Sequence, residues 1–463
     1  MRPTILTLAA TLASPAQAVF YKIGNTAEIK ESARTLAYDM SSYYKGNQSG
    51  QTVGILPGPP DPGNPNAGDY FWYVAGAMFG TFIDYWHLTG DDSYNKMVID
   101  GMIAQIGERK NYEPTNWTIS LGNDDQAFWG MAALSAAESK FPNPPIDQPT
   151  WIDLAHSVWN SQHSRLDNLC GDGLHWQTTP QNKGYNYKNV IANACFINMG
   201  VRLARYTGND TFIQSADDIW DWMWGLNYID HQTWAIYDGA YTDDNCKEVN
   251  KATYSANGAV LIEAVAYLYN YTQGADRQKW GGRLDNLLDK FLVNNFNNSI
   301  AYEPNCEPWD KCKTDQKCMK GYTHRFLSVT TQLAPHTKTK IAPVLQKSVE
   351  AAVNQCTGGP TGRKCGFMWR DGIYVDPQKM AAPTTGACET MSVFGAVISM
   401  LYDNAPAPIT LSSGGISNST NDIYKQNSPI VFSPITTADK AGAAIITILV
   451  LVVGITPMIW ADR

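Results

Sequence analysis

Asp84-Tyr85-Trp86-His87-Leu88-Thr89-Gly90-Asp91-Asp92 reads as the end of one helix and the approach to the next. A glycine can end a helix in the left-handed conformation, and Asp or Asn after it can cap a following helix. The same arrangement returns at Arg205-Tyr206-Thr207-Gly208-Asn209-Asp210-Thr211, and Asn270-Tyr271-Thr272-Gln273-Gly274-Ala275-Asp276 reads as a third copy. The segments ahead of these connections, Gly76 to Tyr85, Val190 to Leu203 and Gly258 to Tyr269, are apolar and rich in small residues. Those behind them are amphipathic, as in Ile213 to Met223. A helix apolar on all sides belongs among other helices, and an amphipathic one covers them. The pattern is a row of αα-hairpins with buried inner and half-exposed outer helices.

Outward from these connections, six inner helices are expected: Gly76 to Tyr85, Asp125 to Ala137, Val190 to Leu203, Gly258 to Tyr269, His324 to Leu333 and Glu389 to Leu401. Asn25-Thr26-Ala27-Glu28 resembles a capping box, and Ile29, Ala33, Leu36, Ala37 and Met40 follow at helical spacing, so an N-terminal helix can complete the outer layer. Six inner and six outer helices make an all-α, (α/α)6 barrel in a single domain. An open solenoid of hairpins is the rival, and the irregular spacing and long loops fit the closed toroid better.

The two ends place the chain outside the cytosol. Arg2, the apolar stretch Ile5 to Ala13 and Ala16-Gln17-Ala18 form a signal-peptide pattern, expected over 1–18. Residues 406–440 form a polar spacer with small residues such as Ser412-Ser413-Gly414-Gly415, and 441–463 carry the uncharged run Ala441 to Trp460. That order suits a glycosylphosphatidylinositol (GPI) attachment signal, with an ordinary single-pass anchor as the alternative. The catalytic domain is then 19–405. Sequons at Asn47, Asn116, Asn209, Asn270, Asn297 and Asn418 agree with export. The nine cysteines predict disulfides with one thiol left over, for which Cys195, in an apolar stretch, is the candidate. Zinc at Cys312 and Cys318 is the weaker reading, since no C-x2-C pair exists. A net charge of -8 argues against nucleic acid as a partner. The 15 Trp and 24 Tyr, many beside Asp, Asn or Gln, suit stacking on sugars, although most must serve packing in a large helical core.

Asn123-Asp124-Asp125 opens an inner helix. Glycoside cleavage requires two carboxyl groups, and a retaining mechanism requires them about 5–5.5 Å apart. Adjacent residues at a helix start can meet that spacing. The helix N-terminus favours the ionised form, while mutual repulsion raises one pKa and separates acid from nucleophile. Taken alone, an Asn-Asp-Asp helix start is more often a solvated cap.

The surrounding residues change the balance. Asn123-Asp124-Asp125-Gln126-Ala127-Phe128-Trp129-Gly130-Met131-Ala132 resembles the catalytic segment of glycoside hydrolase family 76, the endo-1,6-α-mannanases, in its fungal cell-wall branch. Trp72 to Gly80, Gly173-Leu174-His175-Trp176-Gln177, Tyr187 to Asn193, Tyr237-Asp238-Gly239, Thr253 to Gly258 and Glu389-Thr390-Met391-Ser392 resemble the same family in order. The resemblance implies an (α/α)6 barrel and cleavage of α-1,6-mannosidic bonds with retention. Asp124 would be the nucleophile and Asp125 the general acid/base, with no cofactor and no metal. The fungal branch implies a transglycosidase whose donor is mannan or a GPI-core glycan and whose acceptor is a cell-wall β-glucan; a hydrolytic mannanase or a non-catalytic sugar-binding wall protein are the alternatives. Asp238 and Tyr254 match positions that look substrate-contacting in the family. Asn257, at the start of an inner helix, is placed for sugar hydroxyls. Trp72 and Trp176 are candidate stacking platforms, Asn189 and Asn193 share a helical face that can point into the cleft, and His175 and His324 read as structural.

Overall fold

The computed structural model describes residues 20–60, 68–416, 436–438 and 440–447. The expected signal segment 1–18, the sequon at Asn418 and most of the spacer and apolar tail lie outside the described residues. Among the described residues no helix is long and apolar enough to cross a membrane.

Among the described residues, twelve helices of ten or more residues alternate between two layers. The inner set is α2 (Trp72–Thr89), α4 (Asn123–Ser139), α6 (Val190–Thr207), α8 (Ser255–Tyr271), α10 (Thr314–Leu333) and α12 (Ala387–Ser399). Each packs on the next and α12 returns to α2, so the ring closes and the solenoid is excluded. The outer set is α1 (Thr26–Ser41), α3 (Asn95–Ala104), α5 (Trp151–His163), α7 (Thr211–Gly225), α9 (Gly274–Asn295) and α11 (Lys338–Asn354), each packed on the inner ring, with α1 mainly on α12 and α11 shared between α10 and α12. Two short antiparallel pairs complete the described strands: β1 (Tyr187–Asn189) with β2 (Gly239–Tyr241), and β3 (Phe296–Asn297) with β4 (Ile300–Ala301).

Local physics follows the sequence at most of these elements. Asn25 caps α1, its side chain accepting from the Glu28 N–H at 3.0 Å, and Ile29, Ala33, Leu36, Ala37 and Met40 are all buried. The Glu28 carboxylate reaches back to the Gly24 N–H, one residue earlier than a capping box requires. Gly90 (φ 79°) and Gly208 (φ 73°) end α2 and α6 in the left-handed region. After them Asp91 and Asn209 accept from the backbone N–H two residues on, forming Asx turns instead of capping a helix. The third connection departs from the copy: α8 ends at Tyr271 with Thr272 extended, and Gly274 begins α9.

One helix is twice as long as its pattern suggested. α10 starts ten residues before His324 because Lys317 and Lys320, which break the apolar period, are buried and paired. Lys317 lies 3.4 Å from Glu389, and Lys320 lies 2.9 Å from Glu307 and donates to the Phe367 carbonyl. Disulfides join Cys170–Cys246, Cys306–Cys312, Cys318–Cys388 and Cys356–Cys365, leaving Cys195 as a buried free thiol. Cys312 and Cys318, weighed above as zinc ligands, are therefore both bonded to sulfur.

One end of the barrel is shut. The C-terminal halves of the inner helices carry buried ion pairs, Arg202 with Glu138 at 2.7 Å and Arg325 with Asp84 at 2.6 Å, and the Tyr267 hydroxyl donates to Glu138. The opposite end, where α2, α4, α6, α8 and α10 begin, is open.

Candidate active site

A cavity of about 440 Å³ occupies that open end. Its walls carry Asp124, Asp125, Trp176, Asn189, Asp238, Tyr254 and Asn257, residues drawn from five separated places in the chain.

The paired aspartates occupy the first turn of α4, whose N-cap is Gly122. The helix start is anchored from behind. The Asn123 N–H donates to the Trp176 carbonyl at 2.7 Å, the Asn123 amide donates to the His175 carbonyl, and the Arg165 guanidinium donates to the Asn123 side chain at 2.9 Å. Arg165 also reaches Gln126 and Glu113, so the turn bearing the carboxylates is held on its buried side. His175 serves this support: its ring bonds Asp167 at 2.7 Å and the Tyr185 carbonyl.

The two carboxylates receive different hydrogen bonds. Asp124 accepts from the Asp125 N–H at 3.0 Å and from the Trp176 indole N–H at 2.9 Å. Asp125 accepts from the Gly122 N–H at 2.8 Å. A Cβ on Gly122 would press on Asp124 Oδ1 and touch Asp125 Oδ2, so the facing oxygens sit within the roughly 5–5.5 Å that a retaining mechanism uses. Burial pushes both groups up: Asp124 well above the usual carboxylate range, with the Asp125 charge adding, and Asp125 up to about 7, with the nearby Asp315 adding. Such a pair shares its first proton. N–H donors stabilise the charged form, and more of them converge on Asp124. Two N–H donors on Asp124 against one on Asp125 thus favour Asp124 as the member of the pair that carries the charge.

Across the cavity, Asp238 accepts from the Tyr187 hydroxyl at 2.8 Å and from the amides of Asn250 at 3.1 Å and Asn257 at 3.4 Å. Burial nonetheless leaves its pKa raised. Tyr187 and Asp238 are brought together by the β1–β2 pairing, in which Asn189 faces Gly239. The Asn189 side chain caps α6 by accepting from the Ala192 N–H.

A profile of glycosyl hydrolase family 76 matches residues 28–412. This chain belongs to that family. The family 76 chain is 38% identical over 447 residues to the mannan endo-1,6-alpha-mannosidase DCW1 of Saccharomyces cerevisiae, covering 96% of this chain and 95% of that one. It is 33% identical to DFG5, a mannan endo-1,6-alpha-mannosidase of the same yeast, across 95% of each. The crystal structure of Dfg5 from Chaetomium thermophilum in complex with glucosamine superposes with a TM-score of 0.84 at 52% identity, covering 87% of this chain and 97% of that chain. An inactive variant of an alpha-1,6-mannanase of Salegentibacter sp. HEL1_6, in complex with alpha-1,6-mannotriose, shares the fold with a TM-score of 0.62 at 15% identity, covering 80% and 99%. The family 76 chain is accordingly a glycoside hydrolase with an (α/α)6 barrel.

Two expected substrate contacts in this family 76 chain fall elsewhere. Trp72 is 6% exposed, stacked on Trp129 with ring centroids 5.0 Å apart, and its indole N–H donates to Gln105 at 2.7 Å. It packs the inner ring because its position on α2 faces α4, and the exposed aromatic beside it is Phe71. Asn193 is fully buried, pairing with both backbone groups of Leu174 and donating to the Asn189 carbonyl. It pins the His175–Trp176 segment from below. Tyr73, Phe128, Tyr187, Lys313, Asp315 and Tyr322, none of them among the expected contacts, also stand on the cavity wall. Lys313-Thr314-Asp315-Gln316 did carry a signal, since Gln316 bonds the Lys313 N–H at 2.8 Å as a helix start should.

Proposed function

We propose that this chain cleaves α-1,6-mannosidic bonds with retention and passes the mannosyl group to a sugar hydroxyl. The observation that carries the reading is the unequal pair in the open end of the barrel: Asp124 accepts two N–H donors and Asp125 one, so Asp124 takes the charge and Asp125 the proton in the proposed reaction. Asp124 attacks the anomeric carbon as Asp125 protonates the departing oxygen, which breaks the glycosidic bond and leaves a glycosyl-enzyme ester. An acceptor hydroxyl then gives its proton to Asp125 and displaces Asp124. Water as acceptor gives hydrolysis; a sugar gives transfer.

The names of the relatives support an α-1,6-mannan substrate. The donor is mannan or a GPI-core glycan, and the acceptor is a β-glucan of the cell wall. Residues 1–18 direct export, and the C-terminal segment anchors the protein through GPI at the outer face of the plasma membrane. Product analysis tests this: the protein is incubated with an α-1,6-mannotetraose, with and without a β-glucan oligosaccharide. Hybrid products that require the glucan and Asp124 support transfer. Shortened mannosides alone reduce the activity to hydrolysis, and no turnover overturns the proposal.

A further inference from the structure

The catalytic pair has a third carboxylate beside it that none of the preceding chemistry uses. Asp315 stands in the first turn of α10, on the cavity wall. Its Oδ1 accepts from the Tyr73 hydroxyl at 3.0 Å, and among the described residues this is the one hydrogen-bond donor its side chain has. Tyr73 in turn lies against Phe128, ring centroids 5.1 Å apart, and Phe128 is one helical turn below Asp125. Tyr73 therefore bridges Asp315 to the Asp125 side of the pair, and both carboxylates act electrostatically on its hydroxyl.

Asp238 provides the contrast within the same cavity. It too accepts from a tyrosine, but two asparagine amides complete its shell. A carboxylate has about four acceptor sites. Asp315 is half-buried on the cavity wall, with one protein donor and an Oδ2 free to accept from a ligand. The helix N-terminus favours its charge, and Tyr73 fixes its orientation.

We propose that Asp315, oriented by Tyr73, is a substrate-binding residue that accepts a hydrogen bond from a hydroxyl of the sugar on the Asp125 side of the reacting bond. This rests on the assignment of Asp125 as acid/base, because that group faces the leaving oxygen first and the incoming hydroxyl second. The ligand is thus the neutral leaving-group sugar, and then the acceptor that replaces it. A bond between substrate hydroxyl and carboxylate also keeps a negative charge beside Asp125, which helps it retain its proton until the leaving group takes it.

The test uses the full chain and two variants, Asp315→Asn and Tyr73→Phe. For Asp315→Asn, KM for α-1,6-mannotetraose is expected to rise about tenfold or more, the scale of a lost charged hydrogen bond. The alkaline limb of kcat/KM should move to lower pH, since a neighbouring negative charge has gone. Tyr73→Phe should raise KM by less, because the charge stays and only its orientation is lost. A merely structural role would lower the active fraction and leave both KM and the limb in place; that result, or a moved limb with unchanged KM, overturns the proposal. Binding of the mannotetraose by calorimetry in the Asp124→Asn background, with and without Asp315→Asn, separates this from the proposed function. If the wild type fails to cleave α-1,6-mannosides, the reaction assigned above falls, and the calorimetry alone decides the subsite: about tenfold weaker binding upholds it, and equal binding overturns it.

Discussion

The Trp176 indole N–H donates to Asp124 Oδ2 across 2.9 Å, from a position 52 residues further along the chain. Trp176 is also 37% exposed and lines the cavity, so one side chain holds the proposed nucleophile and presents a face to whatever occupies the cavity. Trp176→Phe separates the two roles. The aromatic face survives, and the donor that favours ionised Asp124 is lost. The expected result is a drop in kcat of about tenfold with KM little changed, on the scale of one hydrogen bond to a charged group. A KM effect alone would assign the residue to stacking.

The unequal pair predicts unequal variants. Asp124→Asn should abolish turnover of every substrate. Asp125→Asn should slow a natural mannoside by about 10²–10⁴-fold, yet spare one whose leaving group departs without a proton. The wild-type kcat/KM should fall above about pH 7, where Asp125 loses its proton, and that limb should vanish in Asp125→Asn. Steady-state kinetics with a mannoside and an activated aryl mannoside against pH check all three. Equal rescue of both variants would undo the role assignment.

Gly122 has φ -87° and ψ 156°, a conformation open to any residue. Its requirement for glycine lies in the space beside it, where a Cβ would press on Asp124 Oδ1. Gly122→Ala should therefore leave the melting temperature within a few degrees while lowering kcat by about tenfold or more, because a small misplacement of a catalytic group is costly. Differential scanning calorimetry and turnover on the same sample distinguish this from global unfolding.

Stability should decline on the alkaline side. Burial pushes Glu303 up to about 8, opposed by the Ser255 hydroxyl and N–H, and pushes Glu263 up to about 7. The folded chain holds these protons where the unfolded chain has released them. Their stabilising contribution is complete below the ordinary value of 4.5 and is lost as pH rises through 7 and then 8. The melting temperature should fall by several degrees between about pH 5.5 and 9, and Glu303→Gln should flatten the curve. An unchanged slope in that variant would show that Glu303 is ionised in the fold.

The chain alone determined the layered helical architecture and the adjacency of the two carboxylates proposed as catalytic. Apolar inner segments, left-handed glycines at 90 and 208, and amphipathic followers encode αα-hairpins through short-range sterics and burial, and these act within a helix or its connection. Asp124 and Asp125 are adjacent, so their proximity needed no folding to be seen. The sequence could not show that Lys317 and Lys320 are core residues, because their partners Glu389 and Glu307 lie 72 and 13 positions away and only packing brings the charges together. Nor could it separate Trp176 from Trp72. Both are tryptophans beside candidate motifs, and ring closure buries one against Trp129 while leaving the other on the cavity wall. Which carboxylate keeps the proton was likewise a tertiary decision. It rests on donors and charges delivered by Trp176 and Asp315 from distant elements, and electrostatic effects depend on distance in space rather than along the chain.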